Sequence, residues 1–170
     1  MKHISSSFYK VYDNTLLICT YDITDRSVIF SLEMKKLEYD NILWNILGMK
    51  SNIEEPMSLR VNGAYTCPSF KLESCFFLHE DEKQREQVEA YITSIENRFN
   101  NFVAANDIEK IIMEKENMYH GDALKCCMLI SNNNIDKACE IAWQGIANND
   151  SGGFIIGDKT FFQLLLEMYN

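Results

Sequence analysis

Two prolines and seven glycines in 170 residues leave little material for flexible linkers. No stretch is rich enough in Pro, Gly or Ser to force a division, and no internal repeat is visible, so a single α+β domain over 1–170 is expected. No apolar run approaches the ~18 residues that cross a bilayer. The opening MKHISSSFYK lacks the apolar core of a secretory signal, so neither export nor membrane insertion is expected and the cytoplasm is the default. Bases are in short supply: 16 Lys and Arg face 25 Asp and Glu, a net charge of −9. Lys35-Lys36 is a lone basic pair without aromatic interleaving. Such a field disfavours nucleic acid and anionic membrane and favours a basic partner.

Chemical signatures are equally scarce. Six cysteines without regular spacing suit a reducing compartment and offer no paired zinc motif. Cys67 and Cys75 have no matching Cys/His pair nearby. Adjacent Cys126 and Cys127, with His120 seven residues before Cys127 on the same helical face, form one arrangement that could make a thiol nucleophile. Free cysteines are more often small buried hydrophobes, and that is the expectation here. Asp150-Ser151-Gly152-Gly153 and the following residues to Gly157 put small residues before a helix. They have neither nucleotide-fingerprint spacing nor a lysine between the glycines, so a plain loop is expected. The acidic pairs, Glu54-Glu55 and Glu80-Asp81-Glu82 among them, sit in no apolar stretch that would raise a carboxyl pKa towards a catalytic range. No catalytic residue, metal or cofactor is expected.

What the chain does have is pattern. Hydrophobic residues make up 46% and charged ones 24%, an ordinary globular balance. From Glu80 to Val103, acids open a segment in which Val88, Tyr91, Ile92, Ile95, Phe99, Phe102 and Val103 recur at helical steps, predicting a long helix over about 81–105. Before it, Leu16–Ile23 and Ser27–Met34 read as strands joined at Thr24-Asp25-Arg26, the second with Val28, Phe30, Leu32 and Met34 on one face. The long helix should lie on that face. Tyr39, Ile42, Leu43, Ile46 and Leu47 predict a helix near 37–47, closed by Gly48 in a left-handed conformation. Met57, Leu59 and Val61 alternate up to Asn62-Gly63, which predicts a hairpin returning through Ala64–Cys67. Phe70, Leu72, Ser74, Phe76 and Leu78 continue as strand. The expectation is an antiparallel sheet of about four or five strands within residues ~10–78, then an all-helical part, or β-rich 1–79 and helical 80–170.

In the helical part, Asn106 or Asp107 could cap a helix carrying Ile108, Ile111 and Ile112. Gly121-Asp122 opens another. Asn134 could cap one whose inward stripe is Ile135, Cys139, Ala142, Trp143 and Ile146, and Asp158 could cap a last helix through Met168. Ala123-Leu124 followed by Asn133-Asn134-Ile135-Asp136-Lys137-Ala138 resembles the helix turn of ubiquitin-associated-type bundles over fewer than thirty residues. The usual Met-Gly-Phe turn is replaced by Met118-Tyr119-His120-Gly121, so no function follows from it.

With chemistry scarce and acid abundant, binding to another protein is the expected work. In size, charge and element order the chain looks similar to the immunity proteins that neutralise secreted nuclease toxins, including those of contact-dependent growth inhibition. It also looks similar to effector chaperones of secretion systems, although those usually begin with a helix. A small enzyme using cysteine or carboxylate is the third reading. Residues 80–122 carry eleven acids against five bases. The expected contacts with a basic toxin are Glu80, Asp81, Glu82, Glu86, Glu109, Glu114 and Glu116.

Overall fold

The computed structural model describes residues 4–78, 83–115 and 118–170. The chain first builds a four-stranded antiparallel sheet from β1 (Ile4–Tyr12), β2 (Thr15–Ile23), β3 (Ser27–Lys36) and β4 (Phe70–Leu78), in the order β1-β2-β3-β4. Between β3 and β4 come α1 (Leu37–Ile46), a short 3₁₀ turn (Lys50–Glu54) and α2 (Met57–Asn62). After the sheet follow α3 (Gln84–Ala105), α4 (Ile108–Glu114), α5 (Gly121–Ser131), α6 (Ile135–Ala147), the two-residue strands β5 (Ile155–Ile156) and β6 (Lys159–Thr160), and α7 (Phe161–Tyr169). Two compact units result. Met1–Lys35 with Ser69–Ile108 form a sheet unit, and Lys36–Pro68 with Glu109–Asn170 form a helical unit.

In the sheet unit the periodicity of α3 meets the alternation of β3 as expected. Tyr91, Ile95 and Phe99 are buried. Tyr91 lies 5.1 Å from the Phe30 ring, Phe102 lies 6.4 Å from Phe70, and Phe99 stacks on Tyr12 at 5.8 Å. The Tyr91 hydroxyl donates to Glu73 across the same face at 3.0 Å. β4 departs from simple alternation. Leu32 pairs with Glu73 but Glu33 pairs with Lys71, so Leu72 is an extra residue in a bulge. The bulge turns Phe77 inward, where its ring lies 5.9 Å from Tyr91. It turns Phe76 and Leu78, expected in phase with Phe70, out to solvent.

Two local expectations fail. The sequence pattern starts the sheet near residue 10, whereas β1 begins at Ile4 and pairs with β2 over nine consecutive positions. The Met57–Val61 alternation is not a strand, and Asn62-Gly63 is not a hairpin. Leu59 N–H donates to the Pro56 carbonyl and Gly63 N–H to the Leu59 carbonyl, closing a short helix, and Gly63 has φ −74. The cause is Arg60, which is 5% exposed. Helical geometry aims its guanidinium at the Leu37 carbonyl (2.9 Å), the Asn41 amide oxygen (2.7 Å) and Asp40 (3.6 Å), stacked 4.5 Å over the Trp44 ring. A buried charge with that many partners outweighs three half-buried apolar residues.

The helical unit is built from α1, α5, α6 and α7. Gly48 takes the left-handed φ of +72 after α1, as its position suggests. Ala138, Ala142 and Gly145 form a small-residue seam on α6, and the Phe162 ring of α7 occupies the space a Cβ at Gly145 would need. The last helix is capped by Thr160 rather than Asp158. The Thr160 hydroxyl accepts from Gln163 N–H and the Gln163 side chain accepts from Thr160 N–H, a complete capping box. Trp143, expected inward, is 54% exposed. Among the described residues no helix is long and apolar enough to cross a membrane.

Candidate functional site

The thiol arrangement that spacing suggested does not assemble into a nucleophile. Cys126 and Cys127 are fully buried on α5. The Cys126 thiol donates to the Ala138 carbonyl at 3.6 Å, and burial pushes both thiols above their ordinary range, with neighbouring Cys67 acting in the same direction on Cys127. A thiolate is what reacts, and these two are held as thiols out of reach. His120, in a left-handed conformation with φ 51 just before α5, packs its ring at a tilt against Tyr119 and Phe154, with centroids 3.6 and 4.7 Å away. Burial lowers its pKa, with Asp150 acting the other way. Its ring fills the space beside Gly153, whose missing Cβ and positive φ admit it. All six cysteines are free. Among the described residues no group of three or more His, Cys, Asp or Glu side chains could hold a metal ion.

A polar cavity of about 330 Å³ opens beside His120, lined also by Lys115, Asp122, Lys125 and the Ser151–Gly153 loop. Its charges are of both signs. Lys125 pairs with Asp122 at 3.1 Å, and the loop satisfies itself, with Gly152 N–H donating to Asp150 (2.9 Å) and Gly153 N–H to Ser151 (3.1 Å). The glycines serve the turn.

Three of the acidic residues expected to meet a partner are among the described residues. Glu86 is exposed on α3 of the sheet unit, while Glu109 and Glu114 stand on α4. Glu109 is engaged internally, accepting from Lys36 at 3.0 Å and from the Asn132 amide at 2.6 Å. Glu114 is exposed beside Lys110 at 3.8 Å. Glu80, Asp81, Glu82 and Glu116 lie outside the described residues.

What sequence reasoning missed is in the sheet unit. Between β1 and α3 runs a groove of about 230 Å³ whose walls include Phe8, Tyr12, Leu17, Ile92 and Ile95. Phe8 is 40% exposed and Ile92 46%, with Ile4 at 55% further along the same strand face. Lys10 and Glu96 close over the groove as an ion pair, which raises the Lys10 ammonium to about 12 and lowers Glu96. Glu89, one turn before Ile92, is exposed and pairs with Arg85 at 2.9 Å. The missing signal was β1 itself, since a strand wet on both faces shows no apolar alternation. No family model matches the sequence, and comparison with curated proteins and with solved structures finds no significant similarity.

Proposed function

We propose that this chain is an acidic protein-binding protein of the cytoplasm, an immunity protein that binds and neutralises a basic toxin domain such as a nuclease, working without turnover or cofactor. The observation that carries the reading is the groove between β1 and α3. Exposed Phe8 and Ile92 stand there with the carboxylate of Glu96, and Glu89, one turn from Ile92, is exposed on the same helix. Apolar anchors give an interface its affinity, and a charged rim sets partner choice and association rate. The sealed thiols support the same reading over a cysteine enzyme.

Co-expression tests it. Cells producing the cognate toxin domain should survive only when this protein is present, and the purified pair should remain together through gel filtration at low salt. Survival in its absence, or no complex, ends the reading. A partner released unharmed to a secretion apparatus would point to the chaperone instead.

A further inference from the structure

We propose that the outer edge of β1 is a docking strand, taking an extended segment of a basic partner as a fifth strand of the sheet. The two edges of this sheet differ. β4 is bent by the bulge at Leu72 and carries Lys71 and Glu73 on either side of it. Bulges and charges are the usual devices that stop a sheet edge from pairing with another chain. β1 has no bulge and one charge. Its sequence, ISSSFYKVY, contains no proline, its nine pairs with β2 run without a shift, and its single charge, Lys10, is folded across to Glu96 on α3. Nearly every residue of β1 is exposed, and among the described residues no strand pairs with the edge it turns away from β2.

The side chains next to that row suit an alternating segment. Phe8 and Ile4 point to the α3 side, where the groove beside Ile92 can take an apolar side chain reaching over β1. Main-chain hydrogen bonds would supply register and the groove would select every second residue. Charge decides the occupant. Two copies of a chain at −9 repel one another, whereas a segment with Lys or Arg at alternate positions is drawn in. For the sign of the partner's charge the inference rests on the proposed function; the edge itself does not depend on it.

The probe is a synthetic eleven-residue peptide alternating lysine with valine, titrated into the full chain while backbone amide exchange is followed by NMR. Expected is roughly tenfold or greater slowing at alternate β1 amides. The same peptide with glutamate for lysine, or N-methylated at alternate residues, should bind at least about tenfold more weakly. Ser5→Lys with Ser7→Lys should lose binding, while Ser5→Glu with Ser7→Glu should keep it. Both pairs of changes are on the strand face away from the groove, and an unchanged amide spectrum elsewhere establishes that they fold. No binding, binding that leaves β1 unprotected, equal binding of the N-methylated peptide, or a peptide-free dimer protected at β1 each overturns the proposal. A toxin neutralised with β1 amides still exchanging freely sinks this inference alone. Protected β1 amides without any rescue in cells sink the immunity reading and leave the docking strand standing.

Discussion

The sheet unit and the helical unit treat their polar groups in opposite ways. In the helical unit a buried charge is enclosed by partners: Arg60 reaches Leu37, Asn41 and Asp40, and Asp40 accepts the Cys67 N–H at 2.8 Å. The indole N–H of Trp44 donates to the Tyr65 carbonyl, so the segment after α2 is tied to α1 at two points. In the sheet unit the tight contacts are aromatic and lie on one face, while a whole strand edge and a groove stay open. A region saturated from within has little left to offer a partner; one that leaves backbone and apolar surface uncovered does.

The sharpest way to break this contrast is at Arg60. Arg60→Ala would remove the cation beside buried Asp40, and should cost about 3–5 kcal/mol in denaturant unfolding. A loss below about 1 kcal/mol would mean that the enclosure contributes no more than a surface pair. In the sheet unit, Phe99→Ala removes a ring stacked on Tyr12 and should cost about 3–5 kcal/mol through the cavity it leaves. The lower end of that range is expected, because Phe99 is 7% exposed and lies near the open strand.

The smallest effect is a pH dependence. Burial holds the folded-state pKa of His120 below its ordinary value. As pH falls, the unfolded chain takes up the proton first. The contribution to stability is therefore full above about pH 6.5 and declines as the pH drops towards the folded value. His120→Asn, a residue that tolerates the φ of 51 found there, should flatten the fall in Tm between about pH 7 and 5.5. An unchanged slope would show that the ring is solvated and that other groups set the acid sensitivity.

Much of the fold was legible wherever a segment was long or had one face in water. The stripe of α3, the alternation of β3 and the helix ending at Gly48 each follow from periodicity, because burial there is one-sided. β1 was not legible, since an edge strand exposed on both faces leaves no mark of two-residue repeat. α2 was misread because three alternate apolar residues in six positions fit either period, and the deciding residue, Arg60, finds its partners some twenty positions back. The phase of β4 was hidden by one bulged residue. For the candidate site, composition showed the acid but not its placement. Nothing near Glu109 in sequence reveals that Lys36, 73 residues away, already holds it. The spacing of His120 and Cys127 reads as one helical face, yet His120 precedes α5 in a left-handed conformation, and spacing carries no information on depth, which is what removes the thiol from chemistry.

The bulge at Leu72 has a consequence for assembly. A sheet that can accept a strand at both ends is a monomer of a fibre, since each addition recreates the surface it consumed. Here one end is bent and charged while the other is straight, so growth has a single start and no continuation. Copies of this chain joined through β1 alone would stop at a pair, because each has one straight edge and has used it. Straightening β4 by deleting the extra residue would give the molecule a second growing end, and with it the capacity to polymerise.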